Sequence, residues 1–302
     1  MVEWKYIYIY EKLILWIENT DNIHEKDNCG CNALHYICYY NLQAITDLPE
    51  GTNRLIECIS LLLKNGINIH DKINNGSNAL HLLCHNNPSI ECISLLLENG
   101  IDIHDKTNNG LNALHCVCTY NPSIECISFL LVNGIDINDK TNNGSNALDC
   151  ICTYNPSIEN ISLLLENGIN INEKTNNGSN ALHCVCIYNL SIEYIILLLE
   201  NGININEKTN NGWNALHYIC STNFSIECIS LLIKNGISIN DKTNNECTAF
   251  DLIIKNKDKE EYINLIKEIR KEIFGIVLYE TELINDICWI IMDYIFFINK
   301  EW

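Results

Sequence analysis

The tetrapeptide Asn-Ala-Leu-His begins at residues 32, 78, 112, 180 and 214, and Asn146-Ala-Leu-Asp and Thr248-Ala-Phe-Asp occupy the intervening and final places. From 78 to 248 the step is 34 residues throughout, and from 32 to 78 it is 46, which is 34 plus a 12-residue insertion. A fixed period of this size signals a stack of like units, each too small to bury its apolar faces alone and each touching mainly its neighbours. The period also decides how the tempting residues are weighed. A His-Cys cluster that returns at every step is first of all a packing solution used many times over.

One unit, residues 101–134, shows the local logic. Ile101 and Ile103 alternate with polar residues, a short extended pattern. Asn109-Gly110 is the residue pair of a tight type I′ turn. Asn112 is placed to cap a helix, its side-chain oxygen accepting an otherwise unpartnered backbone N–H. Ala113, Leu114, Val117 and Cys118 then fall on one face at helical spacing. Asn121-Pro122-Ser123 ends that helix, and Pro122 is predicted to open the next, with Glu125 near its positive end. The second helix, IECISFLLVN, is apolar nearly all round and is therefore expected to be buried on several sides. Gly134 is expected to stop it in a left-handed conformation. The unit is thus a hairpin-like turn followed by two antiparallel helices.

These residues resemble the ankyrin-repeat family. Its motif, Gly-x-Thr-Pro-Leu-His-x-Ala-Ala followed by a turn, a Leu-rich helix and Gly-Ala-Asp-Val-Asn, reads here Gly110-Leu-Asn-Ala-Leu-His-Cys-Val-Cys, then Leu130-Leu131, then Gly134-Ile-Asp-Ile-Asn138. The resemblance runs over about residues 10–256. It implies an all-α solenoid with units near 22–66, 67–100, 101–134, 135–168, 169–202, 203–236 and 237–272. Residues 1–21 are expected to form an N-terminal capping helix or half repeat, and 273–302 a C-terminal helical cap or tail. The resemblance also implies that the motif histidines, His35, His81, His115, His183 and His217, tie neighbouring turns together by hydrogen bonds.

Composition narrows the function. The chain has 302 residues, 47% of them hydrophobic, and a formal net charge of −19 from 38 acidic and 19 basic side chains. Such a surface repels phosphate backbones and argues against nucleic acid as a partner. The opening segment, MVEWKYIYIYEKLILWIEN, is interrupted by Lys5, Glu11 and Lys12 and does not read as a signal peptide. The longest apolar run, 287–298, is too short to span a bilayer and contains Asp293. A cytoplasmic protein with no membrane partner is the expectation, in the host cytoplasm if its Ile- and Asn-heavy composition reflects an AT-rich viral genome. The 17 cysteines are an odd number in a long, core-rich chain, so complete internal pairing is impossible.

The chemistry-bearing columns have structural readings. Cys38, Cys84, Cys118, Cys152, Cys186 and Cys220 share a small packing position. Cys116 and Cys118, two apart on a helix, point to nearly opposite faces and do not easily share a tetrahedral zinc. His24, His70 and His104 become Asn138, Asn172, Asn206 and Asn240 in later units, a hydrogen-bonding turn position. Glu57, Glu91, Glu125, Glu159, Glu193 and Glu227 compensate the dipole of each second helix. Asp149 and Asp251 interrupt the histidine column, which a repeated catalytic requirement would not allow. The expectation is a non-enzymatic protein with no catalytic residue, metal or cofactor.

Binding function is expected where like units differ. The position after the hairpin glycine holds Leu111 and Trp213 among smaller residues, and the end of the first helix carries Tyr39, Tyr40, Tyr120, Tyr154, Ile187 and Tyr188. Together these would line a concave face and bind a protein partner. The insertion 42–53 is expected to leave the first unit as a solvated loop or a protrusion. In the C-terminal segment, Leu278, Glu282, Leu283, Ile287 and Ile291 resemble the opening helix of F-box-like tails, although the usual Leu-Pro start is Leu278-Tyr279 here. Such tails end many ankyrin proteins of large DNA viruses, and the resemblance implies an alternative role as substrate adaptor for a ubiquitin ligase through residues 276–302.

Overall fold

The computed structural model describes residues 23–40, 51–86, 88–222 and 225–256. Among the described residues thirteen helices alternate between two kinds. The inner helices are α1 (Ala33–Tyr40), α3 (Ala79–Asn86), α5 (Ala113–Tyr120), α7 (Ala147–Tyr154), α9 (Ala181–Tyr188), α11 (Ala215–Ser221) and α13 (Ala249–Asn256). The outer helices are α2 (Gly51–Lys64), α4 (Ile90–Glu98), α6 (Ile124–Val132), α8 (Ile158–Glu166), α10 (Ile192–Glu200) and α12 (Ile226–Lys234). Consecutive inner helices pack on each other, and each of the first six packs on its own outer helix. No strand occurs among the described residues, only one isolated bridge between Lys242 and Thr248. The proposed cap 1–21, the charged end of the last unit and the tail with Leu278, Glu282, Leu283, Ile287 and Ile291 lie outside the described residues.

Inner helices begin with a reciprocal cap. In α5 the Asn112 side chain accepts from His115 N–H at 3.0 Å, while Nδ1 of His115 accepts from Asn112 N–H at 3.3 Å. In α7 Asp149 plays the histidine's part, and in the last unit Thr248 and Asp251 repeat the exchange. Small residues, Ala113 and Cys118 and their equivalents, let inner helices pack more closely on each other than outer helices do.

Three local expectations need correction. The hairpin tip is not type I′, because that turn needs positive φ at both central residues and only Gly110 has it, at +80°. Gly110 N–H donates to Thr107 O and Thr107 N–H to Leu111 O, which makes a type I turn over Thr107–Gly110 with glycine as the left-handed fourth residue. Pro122 does not open α6; Ser123 caps it, its hydroxyl accepting from Cys126 N–H. The outer helix is not buried all round. Only Cys126, Ile127 and Leu130 of α6 are buried, whereas Ala113 through Thr119 of α5 all are. The inner helix is covered by two neighbours, an outer helix and a hairpin, and the outer helix keeps a solvent side. In the first unit, residues 51–53 of the insertion belong to α2, which extends the outer helix to 14 residues against nine elsewhere; residues 42–50 lie outside the described set.

Gly134 behaves as expected: its φ is +88°, its N–H donates to Leu131 O, and Ile135 N–H reaches back to Leu130 O.

The units are stitched by three ladders. At the hairpin tips Asn108, Asn142, Asn176, Asn210 and Asn244 each donate a side-chain N–H to the matching carbonyl one unit earlier, at 2.8–3.0 Å. Beside them, Lys26, Lys72, Lys106, Lys140, Lys174 and Lys208 each pair with the acid of the next unit, Asp71, Asp105, Asp139, Glu173, Glu207 and Asp241. Between inner helices Asn121, Asn155 and Asn189 donate to carbonyls at the end of the preceding inner helix. The tips approach so closely that a Cβ on Gly144 would lie 2.7 Å from the Asn176 side-chain oxygen. In the last described tip Glu246 holds the glycine's place at φ +59°.

Candidate binding surface

Two of the five motif histidines, His35 and His81, make the bonds that the resemblance implies. Nε2 of His35 lies 3.0 Å from Asp71 O, and that of His81 lies 3.0 Å from Asp105 O and 3.1 Å from Leu111 O. Since Nδ1 accepts from the capping N–H, Nε2 carries the proton and donates to these carbonyls. In the other three the expectation fails: Nε2 of His115, His183 and His217 makes no hydrogen bond, and that of His115 faces the carbonyls of Ser145 and Asp139 without reaching hydrogen-bond geometry. Burial pushes the imidazoles of His115 and His183 down to about 4, so they are neutral at physiological pH. In the second column the asparagines take the turn role: Asn172 and Asn206 donate to Gly202 O and Gly236 O one unit on, whereas His70 and His104 are exposed.

None of the sixteen described cysteines is in a disulfide. Burial raises the thiols of Cys116, Cys150 and Cys184 to about 12, which makes them poor nucleophiles. Among the described residues no cluster of three or more His, Cys, Asp or Glu side chains is arranged to hold a metal. Glu91 and Glu125 sit in the first turn of their outer helices, where the capping serine hydroxyl and their own backbone N–H lower their carboxyls. Asp149 is the exception among buried groups. Its carboxyl is enclosed at the interface of the fourth and fifth units, and desolvation raises it to about 7.

The non-repeating side chains gather on the inner surface. Tyr39, Tyr120, Tyr154 and Tyr188 are exposed on inner helices whose other residues are nearly all buried. Tyr120, Tyr154 and Tyr188 share one register, the same as Tyr40, whose side chain lies outside the described residues. Ile187, one register earlier with Tyr39, is half-buried. Between hairpins and inner helices of the first three units runs a groove of about 510 Å³ that contains Leu111, Tyr39 and Tyr120 together. Trp213 is not part of it. It sits in the sixth unit, half-buried, with its ring 4.8 Å from that of Tyr218, beside a second hollow bounded by Asn211, Asn244 and Asn245.

Sequence reasoning missed Tyr36 and Tyr218, which line these two hollows. They occupy the register held elsewhere by Leu82, Cys116, Cys150 and Cys184, so variation at a fixed place was the available signal. It also missed His85, whose ring lies between Tyr120, at 3.8 Å, and Tyr39, at 6.2 Å, and the Lys–acid ladder, signalled by an acid-Lys dipeptide returning every 34 residues.

Among described residues no helix is long and apolar enough to cross a membrane. None of the curated proteins compared with the chain matches it. Solved structures do. The human ASB11 ankyrin repeat domain aligns at a TM-score of 0.63 and 21% identity, over 78% of this chain and 97% of that one. The ankyrin repeat domain of Bcl-3, described as a unique member of the IkappaB protein family, aligns at 0.59 and 21% identity, over 80% and 100%. The family model "Ankyrin repeats (3 copies)" matches in overlapping windows, 5–107, 50–141, 99–175, 118–209, 150–243 and 197–273. With that model matching over most of the chain, and with unit, caps and inter-unit bonds in register through the described residues, the chain belongs to the ankyrin-repeat family.

Proposed function

We propose that this chain is a non-enzymatic scaffold that holds a protein partner along the surface formed by its hairpin tips and inner helices. One observation carries the reading: Tyr39, Tyr120, Tyr154 and Tyr188 expose large rings in a line on helices that bury nearly everything else. Tyrosines with one face packed and one wet supply contact area at small entropic cost. Leu111 and Trp213, at the same place in different units, add apolar anchors at the hairpin side. Cysteines outside any disulfide suit a reducing compartment, and the reading places the protein in the cytoplasm.

The test is affinity capture with the full chain, comparing Tyr120→Ala/Tyr154→Ala/Trp213→Ala with Glu125→Ala/Val132→Ala on the outer helix. The inner-surface variant should lose its partners while keeping the wild-type helical circular dichroism at the capture temperature, and the outer variant should keep them. The opposite pattern would sink the reading. A ubiquitin-ligase adaptor role is a second proposal, resting on the Leu278, Glu282, Leu283, Ile287, Ile291 pattern. Ligase subunits that still co-purify with a chain ending at residue 275 would remove it.

A further inference from the structure

We propose that the groove over the first three units receives the guanidinium of an arginine on a basic partner segment. The inference rests on the binding-surface reading above and narrows it to a chemical class of partner. Three features of the groove point to a cation. Aromatic side chains line it: Tyr36, Tyr39 and Tyr120 are exposed, and the His85 ring lies between the latter two. A cation laid over such rings is attracted by their negative faces. The charge lining the groove is one carboxylate, Asp27, and no lysine or arginine is among the described lining residues. The two buried imidazoles there, His35 and His81, are held neutral by burial.

Asp27 is also fixed in place. Its Oδ1 accepts from Cys29 N–H and Cys31 N–H, both at 2.8 Å, and its Oδ2 accepts from the Tyr36 hydroxyl. A carboxylate offers about four acceptor positions, so Oδ2 retains one beside the rings. An apolar occupant would cover that oxygen without satisfying it, and an acidic one would be repelled. The whole chain, at −19, steers basic segments toward it. Arginine fits better than lysine because its planar, weakly hydrated guanidinium stacks on rings while its fork donates to a carboxylate. A groove of about 510 Å³ has room for the residues on either side.

The experiment titrates the full chain with a fluorescein-labelled hexapeptide carrying two arginines. Lysine and citrulline counterparts are titrated in parallel, since citrulline keeps the shape and loses the charge. The arginine peptide should bind with one-to-one stoichiometry, several-fold tighter than the lysine form and on the order of tenfold tighter than the citrulline form. Asp27→Asn and Tyr120→Ala should each weaken it about tenfold, at a temperature where circular dichroism shows each variant folded. Glu91→Gln/Glu125→Gln on the outer helices should leave affinity within about twofold. Equal affinity for citrulline, equal sensitivity to the outer glutamates, or no binding would overturn the proposal. If partners are lost from the inner-surface variant while the arginine peptide fails to bind, only this inference falls. If the peptide binds in the groove but partners survive those substitutions, the surface reading falls and the groove chemistry stands.

Discussion

Asp149 replaces histidine at a site where the motif buries a neutral donor, and the exchange has a thermodynamic consequence. The carboxyl is 3% exposed and titrates at about 7 in the fold, chiefly through desolvation, against an ordinary value of 3.8. A carboxyl raised on folding contributes stability fully present below 3.8 and lost as pH rises through about 7. At roughly 1.4 kcal/mol for each pH unit of difference, the loss approaches about 4 kcal/mol above pH 7. His115 and His183 oppose it. Their folded values near 4 mean that their contribution is present above 6.5 and lost as pH falls toward 4. The two effects overlap between about pH 4 and 6.5, so the wild-type curve alone hides Asp149. Asp149→Asn separates them: the amide oxygen keeps the acceptor role toward Asn146 N–H and cannot ionise. Urea unfolding followed by circular dichroism should show the variant equal to wild type near pH 4 and more stable by a few kcal/mol at pH 7.5. In a stack with nearest-neighbour energetics, hydrogen exchange should report the gain first in α7 and α9. A pH-independent difference, or a destabilised variant at pH 7.5, would refute the argument.

Two further predictions concern the stack. Gly134→Ala and Gly144→Ala place a Cβ at nearly the same φ, +88° and +84°, but the first meets nothing within 4 Å and the second meets Asn176 at 2.7 Å. The first should cost about 1 kcal/mol, and the second clearly more, about 3 kcal/mol, in equilibrium unfolding; equal costs would show that the tips are not in close register. Of the sixteen described cysteines, Cys29 should react first with a thiol reagent in the native protein, Cys31 and Cys247 more slowly, and the buried thiols only on unfolding. Mass spectrometry of peptides after timed quenching reads this directly, and early labelling of Cys116 or Cys118 would contradict the packing assignment.

The repeat was legible because every interface asks for the same side chains. Asn112, His115 and Cys118 return at one period because each is committed to a cap or to the neighbouring unit. What was misread lies where one residue pair fits two geometries. Asn109-Gly110 signals type I′ when read alone, yet within Thr-Asn-Asn-Gly only the glycine needs positive φ. Pro122 is a good helix opener, but the serine after it offers a hydroxyl that proline lacks. The outer helix looked fully buried because Leu130 and Leu131 are equally apolar in sequence, and burial depends on which neighbour each faces: Leu130 is buried and Leu131 only partly. Tyr36 and Tyr218 escaped notice for a related reason, since a column that reads Leu, Cys, Cys and Cys elsewhere is taken for core.

The same commitments explain why binding and stacking are separable here. Asparagines, lysines and acids of the hairpins are used in rungs between units, so changing one breaks a bond to the neighbouring unit. The registers of Tyr36 and Tyr120 accept different side chains along the stack: Leu82 and Cys116 stand in the next two units where Tyr36 stands in the first, and Asn86 stands where Tyr120 does, with the helices and caps intact. The inner surface can therefore vary ring by ring without altering the ladders that hold it. An arginine-binding groove at one end and a Trp213–Tyr218 hollow three units on can then coexist on one scaffold, each tuned by residues the stack does not need.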